Sequence, residues 1–129
     1  MKEYGKWLIR IASLCTVAGA FMGSHMAGSK DYSLMPTHGH LLVVGWLSLF
    51  VYGMFYRLFP APHFLRLAKA QAVLSVIGAI GMPVFMLAYN LNRTPFTIAA
   101  FIFPAVLLLI GVVLFAFLMF FDKNIFQEK

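Results

Sequence analysis

Four long apolar runs decide what this chain can fold into. They cover about 7–27, 38–59, 68–91 and 96–121. Each is long enough, as a helix, to cross a hydrocarbon core of about 30 Å. With 62% hydrophobic and only 11% charged residues, the chain has too little charge to cover a water-exposed surface of its size. In lipid, every backbone polar group must be satisfied internally, which leaves helices or closed barrels. Barrel strands are shorter and alternate polar with apolar residues, and these runs do not alternate. The expected fold is therefore an all-α membrane protein, a four-transmembrane-helix bundle in one domain spanning 1–129, with the lipid bilayer as its first partner. The opening run is read as a retained span, because no small-residue cleavage site is followed by a soluble mature domain.

The breaks between runs are short and carry Lys30, Asp31 and Pro36, then Pro60, Pro62, His63 and Arg66, then Arg93 and Pro95. Pro83 and Pro104 fall inside the third and fourth runs and predict kinked but continuous helices. The formal net charge of +6 does not point to nucleic acid, because the basic residues are not gathered in one soluble patch. They sort by topology instead. With the N-terminus inside, Lys2, Lys6, Arg10, Arg57, Arg66, Lys69, Lys123 and Lys129 lie on the inner side, leaving only Lys30 and Arg93 outside. The positive-inside rule then places both termini in the cytoplasm. Trp7 and Tyr4 read as part of an interfacial aromatic belt. Cys15, alone within an apolar run, reads as a small hydrophobe and gives no redox information.

His25, His38 and His40 fall near the outer face, and His63 near the inner one. The stretch Met35-Pro-Thr-His-Gly-His-Leu-Leu-Val-Val-Gly-Trp46 places two histidines at the outer end of the second span. Ionisable groups at membrane depth are costly and tend to be functional, and histidine is the usual nitrogen ligand of haem iron. Residues two apart on a helix point about 200° apart, so His38 and His40 do not readily hold one metal together. Either each reaches a different neighbour, or one ligates while the other does something else, or both are wet interfacial side chains. At helical spacing Gly45, Leu49, Tyr52 and Tyr56 continue the face of His38. Val44, Leu47, Val51 and Met54 lie nearer that of His40. Gly45 and Gly53 leave room either for a flat ligand or for a closely packed helix.

The segment from Met22 to Pro60 resembles a haem-ligand helix of the haem–copper oxidase catalytic subunit, the superfamily of cytochrome c oxidases and nitric oxide reductases. The residues that carry the resemblance are Met26, Asp31, Tyr32, Pro36, His38, His40, Leu41, Gly45 and Trp46, followed by the aromatic-rich end Phe55-Tyr-Arg-Leu-Phe-Pro60. It is closest to short stand-alone four-helix members, and beyond Pro60 it is a matching helix count. The resemblance implies that the four helices form one arc of oxidase subunit I. It also implies that His38 and His40 match the pair of which, in that family, one ligates the low-spin haem and the other the active-site haem, near the outer leaflet, with haem b the cofactor expected here. The implied location is the inner membrane of a bacterial or archaeal cell.

The departures carry equal weight. No histidine occurs in the third or fourth run, there is no adjacent His-His pair for copper, and the family's linked His–Tyr has no counterpart. Oxygen reduction by this chain alone is not expected. A haem with two protein ligands then needs either a second protomer, in a homodimer or homotrimer, or His25 as the partner within one chain, or else keeps one position open. Arg93 is the candidate cation for the haem propionates. The expected function is electron transfer with a redox partner, or binding or sensing of a diatomic gas. Two alternatives stand beside it: a non-enzymatic assembly or scaffold subunit of a respiratory complex, without cofactor, and a copper-handling protein using Met22, Met26 and Met35 with the outer histidines. A transporter is disfavoured, because no charged residue sits at mid-membrane.

Overall fold

A computed structural model describes residues 1–125. Lys129, one of the basic residues in the topology count, lies outside the described residues. Four helices follow one another: α1 (Lys2–Ser29), α2 (Met35–Leu58), α3 (Leu65–Leu91) and α4 (Pro95–Phe121). No strand occurs among the described residues. All four are long and apolar enough to cross a membrane, which is the architecture the four apolar runs dictate. The helices overrun the runs by up to five residues at the N-terminal side. Polar side chains can continue a helix into the interfacial region, so hydropathy marks the hydrocarbon-matched part and not the helix end. In α1 the extra turn carries a Glu3–Lys6 ion pair at i, i+3.

Helix ends follow local chemistry. α1 stops at Lys30, the one non-glycine residue with positive φ among the described residues (57°). Pro95 opens α4, and Thr94 and Thr97 cap it reciprocally: the Thr97 amide donates to Thr94 Oγ1 (3.1 Å), and the Thr94 amide donates to Thr97 Oγ1 (2.9 Å). Pro83 and Pro104 are buried inside helices that continue through them.

Small residues set the packing. A Cβ added at Gly53 would lie 2.7 Å from Ile9 Cγ1 and 2.9 Å from the Gly5 carbonyl oxygen, and one added at Gly45 would lie 2.9 Å from Cys15 Sγ. Between α3 and α4, Gly78 meets the Leu108 backbone, Gly81 the Pro104 ring, and Gly111 the Ser75 hydroxyl. Both pairs run antiparallel, since residue numbers rise along one helix as they fall along the other. Close approach of backbones at glycine is how membrane helices gain van der Waals contact without a hydrophobic drive between them. Gly45 and Gly53 therefore serve contact with α1 and do not keep a slot open for a flat ligand, whereas nothing of the chain faces Gly39.

α2 and α3 are tied by a buried polar chain. Tyr56 Oη donates to Gln71 Oε1 (2.6 Å), and Gln71 Nε2 donates to Ser75 Oγ (3.0 Å). All three side chains are almost fully enclosed. Around Tyr56 sits an aromatic cluster of Tyr52, Phe55 and Phe59 with Phe115 of α4; the Tyr52 and Phe115 rings lie 4.4 Å apart. Only 22% to 33% of each apolar stretch is buried within the chain. Most of each helix therefore turns apolar side chains outward, as contact with a bilayer requires.

Candidate functional site

The up-down order brings the end of α1, the start of α2, the end of α3 and the start of α4 to one end of the molecule. His25, His38, His40 and Arg93 all stand there. α2 begins as an ordinary helix over Met35–His40, with Pro36 in its first turn, and then widens into a π-helical stretch over Leu41–Ser48. Such stretches are rare and recur at functional sites. Ser48 Oγ donates to the Val43 carbonyl five residues back (2.9 Å), a partner that matches the wider turn. Nothing in the spacing of Leu41-Leu-Val-Val-Gly-Trp-Leu-Ser48 marks this widening in advance.

The two histidines take different directions. The His38 ring lies in the seam between α1 and α2, where a Cβ on Gly23 would come within 2.9 Å of its Cε1. Its Nδ1 is 3.0 Å from the Gly19 carbonyl oxygen. A carbonyl can only accept, so Nδ1 donates, and the lone pair of the neutral ring lies on Nε2. Gly19 and Gly23, four residues apart, form the notch that admits the ring. This Gly-x-x-x-Gly spacing is the sequence signal that finds the partner of His38.

His40 is turned out of the bundle. Its Nδ1 lies 2.8 Å from the Pro36 carbonyl one turn back, and by the same reasoning donates to it. Its ring lines an open groove of about 440 Å³ formed by Met35, Pro36, Gly39, Val43 and Val44. Every wall of this groove belongs to α2, so its opposite side must come from the bilayer or from another chain. Both histidines thus hold the hydrogen bond that orients a metal-binding imidazole, with Nδ1–H fixed on a main-chain carbonyl and Nε2 left for a ligand.

One residue before His38 stands Thr37, which no motif in the sequence singles out. It is buried, and its Oγ1 has no hydrogen-bond partner among the described residues. An isolated threonine in an apolar helix gives no sequence signal of this kind, since most bond the carbonyl of the preceding turn.

His25 is exposed on α1, two residues beyond Gly23 and hence about 200° around the helix from the notch that holds His38. The two are not brought together. His25 lies instead near Asp31, whose carboxyl is held below its ordinary range by the main-chain and side-chain hydrogen bonds of Ser33, with a smaller contribution from His25. Arg93 is exposed in the α3–α4 loop, its guanidinium 5.7 Å from the Tyr89 ring centroid. Of the methionines weighed for copper, Met26 is buried, Met22 half-buried and Met35 exposed. No group of three or more His, Cys, Asp or Glu gathers among the described residues. No protein-family model, curated protein or solved structure matches this chain.

Proposed function

We propose that this chain is a haem-b-binding integral membrane protein, serving electron transfer or the binding or sensing of a diatomic gas. In this reading haem is held at an interface between copies of the chain. The observation that carries it is the His40 groove: an imidazole with Nδ1 fixed on Pro36, Nε2 without a partner among the described residues, and apolar walls on one side only. That geometry fits a planar apolar ligand completed by a second protomer, in a homodimer or homotrimer. His40 is the iron ligand in this reading. His38, held by Gly19, fixes the rotation of α2 against α1 and so aims His40 outward. Arg93 is the propionate cation. The excess of basic residues at the opposite end puts that end and both termini in the cytoplasm, with the histidines toward the outer leaflet of a bacterial or archaeal inner membrane. Haem at this position supplies one-electron chemistry when two histidines hold it and a gas site when one does. The resemblance to one arc of oxidase subunit I favours this reading.

The visible spectrum of protein expressed with ample haem tests it. A b-type spectrum is expected, lost in His40→Ala and retained in His38→Ala with lower thermal stability. Colourless protein, or an unchanged spectrum in His40→Ala, overturns the assignment. One observation favours the scaffold reading instead: Cys15, Ile9 and Gly5 fill the space that Gly45 and Gly53 leave. Co-purification with larger respiratory subunits in the absence of haem is the outcome that selects it, and stoichiometric copper without iron selects the copper reading.

A further inference from the structure

At the end opposite the histidines, α1 and α3 part to leave a cleft of about 450 Å³. Its floor is Leu8, Ala72 and Val76, with Tyr4 and Trp7 on one rim and the exposed Val73 and Ile77 on the other. The two helices are parallel here, since both start from this end. The cleft extends from Glu3 to Leu8 on one and from Ala72 to Ile77 on the other, about 8 Å along each axis. It is an apolar trough that follows the two helix axes and is open to the outside of the bundle.

The surrounding charge is one-sided. Among the described residues, Lys2, Lys6, Arg10, Arg57, Arg66, Lys69 and Lys123 stand at this end, against Glu3 and Asp122. Lys69 lies one turn before Val73 on the stripe of α3 that lines the cleft, and it is exposed. Arg10 is two turns inside α1, and its guanidinium is folded back over the Trp7 ring, 5.1 Å from the centroid. This carries the charge toward the helix end, as a snorkelling arginine does. Glu3, the one acidic residue among the described residues lining the cleft, is paired with Lys6. Asp122 is buried and its oxygens are taken by main-chain amides. Among the described residues, the mouth therefore presents more cations than free carboxylates above an apolar trough.

We infer that the α1–α3 cleft is a binding site for one anionic phospholipid, its acyl chain along Leu8, Ala72 and Val76 and its phosphate met by Lys69 and Arg10. The inference is independent of haem. Water cannot fill a trough with such walls inside a bilayer, and an acyl chain matches both its direction and its apolarity. Cations just beyond the hydrocarbon select an anionic headgroup.

Native mass spectrometry of the full chain in detergent tests this, after incubation with equal amounts of phosphatidylglycerol and phosphatidylcholine bearing identical acyl chains. One phosphatidylglycerol per chain is expected to be retained in preference, by about fivefold for each cation engaged. Arg10→Gln with Lys69→Gln should bring the two lipids toward parity. Val73→Trp, at an exposed rim position, should lower retention of both while circular dichroism stays unchanged. Equal retention of the two lipids by the native chain overturns the proposal. So does undiminished retention in Val73→Trp. A Val73→Trp variant that loses an oligomer and keeps its lipid shows that a second copy covers the cleft, and overturns it as well.

Discussion

The two ends of α2 treat their polar groups in opposite ways. At the tyrosine end, Tyr56, Gln71 and Ser75 form a closed chain of donors and acceptors, ringed by packed aromatics. At the histidine end, Thr37 Oγ1 is buried without a partner, and the Nε2 atoms of His38 and His40 make no hydrogen bond among the described residues. Polar groups that are fully paired in an apolar medium hold helices together. Groups left unpaired lower stability and persist where something else is meant to meet them. The same helix is thus glue at one end and open valence at the other, with the π-helical stretch between them.

Glycine substitutions give the largest expected contrast. Gly53→Ala pushes a methyl against the Gly5 backbone, which cannot yield, and should cost about 1–3 kcal/mol in detergent unfolding experiments. Gly23→Ala meets the His38 imidazole, which can swing aside, so it should cost clearly less while breaking the Nδ1 bond to Gly19. Equal costs at both sites would show that the histidine end is packed as rigidly as the other.

Tyr56→Phe removes the donor to Gln71 Oε1 and should destabilise by about 1 kcal/mol, the scale measured for hydrogen bonds between membrane helices. No measurable change would show that the chain at this end is not closed.

The tyrosine end also has a pH-sensitive tie. Burial pushes the Asp122 carboxyl up, but hydrogen bonds accepted from the main-chain amides of His63, Phe64 (2.9 Å) and Asn124 (3.1 Å), with the neighbouring His63, outweigh it and hold the group below its ordinary range. A depressed folded-state value means that the carboxylate stabilises the fold above the unfolded value, near about 4, and that this contribution is lost as pH falls through the folded value. Thermal unfolding from pH 6 to 3 should show native protein and Asp122→Asn converging in acid. A gap between them that persists at the lowest pH contradicts the tie.

Thr37→Val carries the smallest expected effect. It removes an orphan hydroxyl at nearly constant shape and should be neutral or stabilising by up to about 1 kcal/mol. A loss of stability would mean that the hydroxyl is engaged by something and that the histidine end is less open than its hydrogen bonds indicate.

By itself the sequence determined that the chain makes four membrane-length helices, where they break, that His25, His38, His40 and Arg93 share one end, and that most of the basic residues gather at the other. These are consequences of hydropathy, proline and asparagine at the breaks, and the alternation that short loops impose on consecutive spans. The angular divergence of His38 and His40 was legible too, from helical spacing alone. Only the tertiary structure decided that His38 turns into the α1 seam and His40 out to the groove, because the rotation of a helix about its axis is set by what packs against it, here Gly19 and Gly23. Packing also decided that Gly45 and Gly53 receive side chains and backbone of α1, and that Gln71 and Ser75, ordinary polar residues in the sequence, meet Tyr56 across helices. The widening of α2 at Leu41–Ser48 belongs to the same class: its residues suit an α-helix equally well.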